Sequence, residues 1–322
     1  MRACAGDTDQ HWPGALHPAC TMTRTEKIFV GLVRALLSER RTLRAGAVLD
    51  VGAHRGETAC LYAAFAPERP IFAVDPSPDN VEHIQNTYGP VFGNLRAQVA
   101  ALGSKRFRGA WKQVIPAWNQ VVLDTKRLAK GDARAGASDV PSRRRYTQDP
   151  KSRVATFPIL RVDDLFYTEP LAFAHIDTEG SELEVLRGAV HTLERDQFVF
   201  SFEVHADTPE CVRLLKHVES LGYQILLIQE VCGQRVDCRN LLAIPPWSQP
   251  YDDVPILRLM VDAGRLVPLS PPFTNRTLAT LAPNPRAAEE QGSLRLSSKL
   301  CYGCIGADSE VLGWLRKAAS VP

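Results

Sequence analysis

The chain has 322 residues, of which 45% are hydrophobic and 23% are charged, a composition typical of a globular protein. Its formal net charge of +2 argues against a strong overall attraction to nucleic acid or to an anionic membrane. The longest apolar run, residues 28–37, contains Arg34 and is shorter than the roughly 18 residues that cross a bilayer, so we predict no membrane span. Residues 1–24 are predicted to be a poorly ordered leader without the apolar centre of a signal peptide, which favours a cytoplasmic location.

Residues 25–245 are predicted to form the main domain, in which helices and strands alternate. The predicted helices cover residues 25–40, 57–65, 78–88, 180–194 and 208–221, and the predicted strands lie near residues 47–51, 70–75, 94–100, 171–176, 198–204, 223–228 and 240–244. Alternation of this kind, with apolar and β-branched strands, predicts a mostly parallel sheet with helices on both faces. Such sheets bind ligands at the carboxyl ends of their strands, where we expect the functional site.

The turn between the first predicted strand, residues 47–51, and the helix predicted at residues 57–65 contains two glycines, Gly52 and Gly56. Glycine allows a sharp turn and lets a ligand approach the backbone, because it has no Cβ. The next strand ends in Asp75, where a carboxylate can accept hydrogen bonds from the hydroxyls of a ribose. An acid at a strand end about 20 residues after such glycines is typical of nucleotide-binding α/β units. The segment therefore predicts a cofactor that contains adenosine.

The charge of the turn distinguishes between cofactors. A nicotinamide or flavin site has three glycines in the pattern G-x-G-x-x-G, which lets a helix N-terminus approach a pyrophosphate. This chain has only G-x-x-x-G, and Asp50, two residues before the first glycine, would repel a pyrophosphate. A carboxylate suits S-adenosylmethionine, which carries an ammonium and a sulfonium group and no phosphate. We therefore favour S-adenosylmethionine, with a nicotinamide oxidoreductase as an alternative.

Four short motifs make the chain resemble the FkbM family of S-adenosylmethionine-dependent methyltransferases. They are D-V-G-A at residues 50–53, D-P at 75–76, I-D-T-E-G-S-E at 176–182 and F-E at 202–203. The resemblance covers residues 45–245, and its third motif is long and specific. Two positions depart from the family pattern: His54 replaces the usual Asn, and His175 stands where Lys is common.

The resemblance implies an α/β fold with the Rossmann-like sheet of class I methyltransferases and S-adenosylmethionine as the cofactor. It also implies O-methylation of a hydroxyl on a small-molecule acceptor, such as a sugar or another metabolite. Cofactor binding is assigned to the first two motifs and the second glycine, namely Asp50, Gly52, Ala53, Gly56, Asp75 and Pro76. The alternative function is a non-catalytic binding or scaffolding module that retains the fold, although a decayed site would be expected to have lost one of these residues.

Catalysis is expected at the carboxyl ends of the fourth and fifth predicted strands, residues 171–176 and 198–204. Transfer to a hydroxyl requires that its proton be removed, and the candidate groups are Asp177, Glu203 and His205. Asp177 can act as a base. Alternatively, Asp177 and Glu203 can bind a divalent cation such as Mg²⁺, which would acidify the hydroxyl. His205 is the competing candidate for the base.

Three other titratable residues near these strands are interpreted as structural. Glu179 and Glu182 precede a helix, where carboxylates are stabilised by the free N–H groups of the first turn. His175 lies within a buried strand, and we interpret it as a core histidine.

Two segments depart from the alternating pattern. Residues 104–153 contain thirteen Lys or Arg and four Asp, with aromatic residues between them. We predict a basic insertion, which either holds an acidic or phosphate-bearing substrate or is a long surface loop. Residues 246–322 are rich in proline and show little periodicity, which predicts an irregular C-terminal extension.

The eight cysteines allow several interpretations. Cys301 and Cys304 form a C-x-x-C pair, and Cys232 and Cys238 lie in a turn between two predicted strands. A zinc site, a disulfide or ordinary unpaired thiols are all compatible with this spacing. Cys60 lies in the helix after the glycine turn and is expected in the core.

Overall fold

The computed structural model describes residues 17–20, 26–38, 43–112, 154–205, 209–230, 238–246 and 254–274. The chain divides into two compact units, here named the central unit, residues 44–203, and the flanking unit, residues 1–43 and 204–322. Within the described ranges, no helix has both the length and the apolar character needed to cross a membrane.

The elements in chain order are α1 (Lys27–Ser38), β1 (Ala47–Val51), α2 (Glu57–Phe65), β2 (Ile71–Asp75), α3 (Pro78–Thr87), β3 (Leu95–Val99), β4 (Ala101–Leu102), β5 (Phe107–Lys112), β6 (Val154–Leu160), α4 (Val162–Leu165), β7 (Leu171–Ile176), α5 (Glu182–Arg187), α6 (Val190–Asp196), β8 (Val199–His205), α7 (Pro209–Ser220), β9 (Gln224–Ile228), β10 (Cys238–Ile244), α8 (Pro255–Asp262) and β11 (Leu266–Leu269).

The main sheet of the central unit has the strand order β8-β7-β1-β2-β3. Every neighbouring pair in it is parallel, which confirms the predicted mostly parallel sheet. All residues of β1 and β7 are buried, as expected for inner strands of a parallel sheet. The chain runs outward from β1 through β2 and β3 on one side and continues with β7 and β8 on the other. The boundary between β1 and β7 is therefore a topological switch point, the place where open α/β sheets bind ligands.

A single helix was predicted over residues 180–194, and the structure divides it into α5 and α6. The break lies at Gly188, whose backbone packs against another part of the chain: a Cβ there would lie 2.1 Å from the carbonyl oxygen of Gly103. The apolar period of this segment predicted that Leu183, Leu186, Val190 and Leu193 are buried on one helix face. Leu186 and Leu193 are buried, whereas Val190 begins a new helix and is 37% exposed, and Leu183 is half-buried.

A second, smaller sheet has the order β4-β6-β5 and was not predicted. Strands β5 and β6 are antiparallel and in register from Phe107 opposite Ile159 to Lys112 opposite Val154. The segment predicted as a basic insertion, residues 104–153, therefore includes strand β5. Residue 112, at the end of β5, lies opposite residue 154, at the start of β6. Residues 113–153, which carry most of the predicted basic patch, lie outside the described residues.

One basic side chain of the predicted insertion is used within the fold. The Nε and Nη2 atoms of Arg106 lie 2.5 and 2.6 Å from the two carboxylate oxygens of Asp164. Arg161 also donates to Asp164, from Nη2 over 2.7 Å. The hydrogen bonds from Arg106, and then those from Arg161, hold the pKa of Asp164 well below its usual range. Arg106 therefore pairs with a carboxylate of its own chain.

The flanking unit has three antiparallel strands in the order β11-β9-β10. Its helix α8 and strand β11 lie in the segment that was predicted to be irregular, so for residues 254–274 that prediction was wrong. The helix begins with Pro255, which is favourable in a first turn, and is only eight residues long. A helix of this length contains too few apolar repeats for its period to be recognised in the sequence.

Helix α1 begins at a carboxylate that is distant in sequence. The two side-chain oxygens of Glu230 accept hydrogen bonds from the backbone N–H groups of Ile28 and Phe29, over 2.8 and 2.6 Å. These N–H groups have no acceptor within the helix, so the carboxylate supplies what a capping residue would supply. Burial nevertheless raises the pKa of Glu230 to about 8, since it outweighs the two donors.

This pKa predicts a pH dependence of stability. An ordinary Glu has a pKa of 4.5, so between 4.5 and about 8 the folded state retains a proton that the unfolded chain releases. The stability that this group contributes is therefore fully present below pH 4.5 and is lost as the pH rises through about 8. We expect Glu230→Gln to show a smaller decrease in Tm than the wild type across this range. Circular dichroism melts at a series of pH values test this, and identical pH dependence in the two proteins would contradict it.

Three of the cysteines are disulfide-bonded: Cys20, Cys60 and Cys238. Cys60 is fully buried, as predicted, and of the three interpretations left open for Cys238 the structure supports the disulfide. Because Cys238 is bonded, it is not available as a thiolate ligand for zinc. The other cysteines of the predicted cluster lie outside the described residues: Cys232, Cys301 and Cys304.

Candidate functional site

The glycine turn adopts backbone conformations that require glycine. Gly52 and Gly56 have φ angles of 82° and 85°. A Cβ on Gly52 would lie 1.7 Å from the carbonyl oxygen of Asp177, and one on Gly56 would lie 2.6 Å from the Cγ1 atom of Ile84. The first glycine was interpreted as making room for a cofactor. In the structure it makes room for the backbone that leaves β7, so the two strand ends meet directly.

Asp75, at the end of β2, holds this turn in place. Its Oδ2 accepts from the backbone N–H of His54 over 2.9 Å, and its Oδ1 accepts from the N–H of Ser77 and from Nδ2 of Asn80 over 2.8 and 3.0 Å. Burial raises the pKa of Asp75, although these three hydrogen bonds act in the opposite direction. An ionised carboxylate has about four acceptor positions, so roughly one remains for an external donor. Pro76 follows directly, and is half-buried.

Ala53 and His54 complete the turn. Ala53 is buried, its N–H donates to the carbonyl oxygen of Val74 over 3.2 Å, and its own carbonyl accepts from Gly56 over 2.7 Å. His54 is exposed, with a φ of 47°, and its Nδ1 lies 3.8 Å from a carboxylate oxygen of Glu57. The nearby carboxylate of Glu57 raises the pKa of His54.

Asp50 and His175 form a buried pair at the switch point. They lie opposite each other in the register of β1 and β7, and Nδ1 of His175 is 2.9 Å from Oδ1 of Asp50. Asp50 is 1% and His175 is 7% exposed. The ring of Tyr62 stands edge-on to the His175 ring, with centroids 6.2 Å apart. His175 is a buried histidine, as the sequence indicated, but its partner was not foreseen.

A second pair, made of two carboxyl groups, lies toward the carboxyl ends of β7 and its neighbour β8. Asp177 follows β7, Glu203 lies in β8, and a side-chain hydrogen bond joins them. A hydrogen bond between two carboxyl groups requires a proton on one of them. Burial raises the pKa of both groups, and repulsion by Asp177 raises that of Glu203 further. The pair therefore holds one proton in common near neutral pH.

Two more carboxylates, Glu179 and Glu182, lie near enough to repel this pair. Glu182 is buried, and its Oε1 accepts from the N–H and hydroxyl of Thr178 and from the N–H of Gly180, over 3.0, 2.9 and 3.0 Å. This agrees with the structural role inferred for it. Glu179 is exposed, with a φ of 56°. Both carboxylates raise the pKa of Asp177 and Glu203 by repulsion.

The proposed magnesium site has no support in this arrangement. In the part of the chain that the structure describes, no three His, Cys, Asp or Glu side chains are grouped so that they can hold a metal ion. His205 ends β8, and its side chain lies outside what the structure describes.

Comparison with known sequence families identifies the region that contains both pairs. Residues 50–225, more than half of the chain, match the methyltransferase FkbM domain. The match begins at Asp50 and extends into β9. The chain belongs to the FkbM methyltransferase family. This FkbM protein therefore contains a methyltransferase domain, as its motifs predicted, with an α/β fold whose sheet is largely parallel, and the chain spans about half the length of the FkbM structure compared below.

Curated protein sequences give no match to this FkbM protein. Among solved structures, the FkbM methyltransferase from Methylobacillus flagellatus KT is 16% identical, with a TM-score of 0.42; the alignment covers 65% of this chain and 47% of that one. The fibrillarin from Aeropyrum pernix, solved with bound S-adenosyl-L-methionine, is 14% identical with a TM-score of 0.39, covering 68% of this chain and 74% of that one. The family assignment depends on the domain match alone.

Sequence reasoning missed Ser77 and Asn80 as partners of Asp75. A helix was predicted to begin at residue 78, and Ser77 before it is a favourable N-cap residue. In the structure the Oγ of Ser77 accepts from the N–H of Asn80 over 3.4 Å. That the same turn also holds Asp75 depends on how the chain bends after β2, which no local pattern reports.

Proposed function

We propose that this FkbM protein uses S-adenosylmethionine to methylate a hydroxyl group on a small-molecule acceptor, such as a sugar or another metabolite. The observation that supports O-methylation is the carboxyl pair, Asp177 and Glu203, at the carboxyl ends of β7 and β8. The backbone of Asp177 lies against the glycine turn, where its N–H donates to the carbonyl oxygen of Val51 over 3.0 Å. A base at this position stands beside the segment assigned to the cofactor.

The chain's own residues fit a cationic cofactor. Asp50 has a buried carboxylate oxygen, Oδ2, with no hydrogen-bond partner among the described residues, and an ammonium group would supply the missing donor. Asp75 retains about one acceptor position for a ribose hydroxyl. Gly52, Ala53 and Gly56 would hold the cofactor along the turn, beside Pro76. When bound, S-adenosylmethionine supplies a methyl group that is already electrophilic on its sulfonium.

The acidic pair would act on the acceptor's proton. Asp177, as the deprotonated member, accepts a hydrogen bond from the hydroxyl and orients an oxygen lone pair for in-line attack. The Asp177 carboxylate would take up the hydroxyl proton as the methyl group passes from the sulfonium, which is left as a neutral thioether, to the hydroxyl oxygen. Glu203 keeps its own proton and donates to Asp177, which holds the base in one rotamer. The proton is later released from Asp177 to solvent.

A transfer assay tests this function. The purified protein is incubated with S-adenosylmethionine labelled in its methyl group and with panels of sugars, phenols and hydroxy acids, beside Asp177→Asn as the matched control. We expect label to enter one class of hydroxyl in the wild type, and to enter it at least about a hundredfold more slowly in the variant. Binding of the cofactor without transfer to any panel would favour the non-catalytic module. Failure to bind S-adenosylmethionine at all would reject the proposal.

The β5–β6 hairpin allows a defined test of the basic insertion. Replacement of residues 113–153 by Asn-Gly joins Lys112 to Val154 through a two-residue turn, which suits antiparallel strands in this register. We expect the affinity for S-adenosylmethionine to stay within about threefold, because loops of this kind carry specificity more than cofactor contacts. Turnover of the acceptor should change. Calorimetry measures the first effect and the transfer assay the second; a folded variant that no longer binds the cofactor would contradict the prediction.

A further inference from the structure

We propose that His175 is a positioning residue for cofactor recognition: it holds one carboxylate oxygen of Asp50, so that the other remains available to the α-ammonium group of S-adenosylmethionine. The inference rests on the proposed function for the cofactor's identity. It adds a role for a buried histidine to which the resemblance gives none, at a position where the family commonly has Lys.

The contact is built into the register of the sheet. Asp50 and His175 are directly opposite on the adjacent parallel strands β1 and β7. Their side chains therefore lie on the same face of the sheet, and Nδ1 meets Oδ1 at 2.9 Å. Because both strands are inner strands, neither partner can move without disturbing the sheet. The orientation of the carboxylate is thus set by the backbone through one hydrogen bond.

Chemistry fixes the direction of that hydrogen bond. An ionised carboxylate only accepts, so Nδ1 of His175 carries the hydrogen and donates it. The bond occupies Oδ1 and leaves Oδ2, which is buried and has no partner in the described part of the chain. A buried carboxylate oxygen without a donor is unfavourable, because it has lost its water and gained nothing in exchange. The site is therefore incomplete until a donor arrives.

The position of Asp50 indicates what that donor is. It lies at the switch point between β1 and β7 and two residues before Gly52, where the chain turns toward α2. A negative charge there repels phosphate and attracts a cation. S-adenosylmethionine and S-adenosylhomocysteine both carry an α-ammonium group with three N–H donors, which fits one unoccupied carboxylate oxygen.

Two ligands that differ only in this group test the inference. S-adenosylhomocysteine is compared with its deaminated analogue, in which hydrogen replaces the α-amino group, by calorimetry at one pH and salt concentration. We expect the wild type to prefer S-adenosylhomocysteine by about tenfold to a hundredfold, the range of a hydrogen bond to a charged group. His175→Phe keeps the ring and its contact with Tyr62 but removes the donor, and should lower this preference by about fivefold or more. His175→Asn, whose amide can donate near the Nδ1 position, should restore part of it.

The Asp50→Asn background separates positioning from folding. Asp50→Asn/His175→Phe has no buried unpaired carboxylate, so it provides a folded comparison even where His175→Phe alone does not fold. If His175 acts through Asp50, the double variant and Asp50→Asn should show the same weak preference between the two ligands. A further loss in the double variant, or an unchanged preference in folded His175→Phe, would overturn the inference. Equal binding of both ligands to the wild type would also overturn it while leaving the proposed function intact, whereas binding of neither would reject that function.

Discussion

Asp177→Asn is expected to lower the rate of methyl transfer by about 10²–10⁴-fold, the contribution of a positioned base, while cofactor affinity stays within a few-fold. The substitution keeps the shape of the side chain but removes the charge that accepts the acceptor's proton. Burial and the neighbouring acids raise the pKa of Asp177 above its usual 3.8. The wild-type rate should therefore decline as the pH falls, with a midpoint above pH 4, and this acid limb should be absent from the residual activity of the variant. Single-turnover rates across a pH series provide the measurement.

Glu203→Gln is the matched control for this prediction. A Gln amide resembles a protonated carboxyl group and can donate to Asp177 in the same way, so we expect turnover to stay within about tenfold of the wild type. Near-wild-type turnover in Asp177→Asn would show that the carboxylate is structural. If Glu203→Gln loses as much activity as Asp177→Asn and both losses depend on added Mg²⁺, the cation interpretation is correct and the base interpretation is not.

Gly52→Ala is expected to destabilise the fold by more than about 3 kcal/mol, which is above the usual range for single substitutions. A methyl group there would lie 1.7 Å from a backbone oxygen of Asp177, and that backbone is fixed because its own N–H is bonded to β1. The positive φ of 82° adds conformational strain for any residue with a Cβ. The effect should therefore appear in the free energy of unfolding without any cofactor present, as measured by urea denaturation.

Gly264→Ala separates the two causes of this effect. Gly264 also has a positive φ, of 65°, but a Cβ on it would meet nothing within 4 Å. We expect this control to lose only about 1 kcal/mol, the cost of the backbone conformation alone. Equal losses in both variants would show that the close approach to Asp177 contributes nothing.

The sequence was sufficient for the elements whose information is local. The glycine turn, the strand that ends at Asp75 and the motif around Asp177 are each read from a few adjacent residues, and their order along the chain then predicts a parallel sheet. The site follows from this, since the carboxyl ends of β1, β2, β7 and β8 share one edge. That is why the candidate residues could be named before their neighbours were known.

What escaped prediction depends on contacts between distant parts of the chain. Glu230 meets the start of α1 across 202 positions of sequence, and His175 meets Asp50 across 125. The helix break at Gly188 was missed because the apolar period continues through it, and only the nearby carbonyl of Gly103 forbids a side chain there. Distances of this kind come from the packed fold, and no periodicity or motif encodes them.

The hairpin formed by β5 and β6 also has a practical consequence. Because Lys112 and Val154 face each other across paired strands, the two chain ends at this point are as close as the ends of a tight turn. A folded reporter whose own termini are adjacent can therefore be spliced between them without changing strand register. A circularly permuted fluorescent protein at this junction would therefore label the protein at a position where the paired strands hold both of its ends.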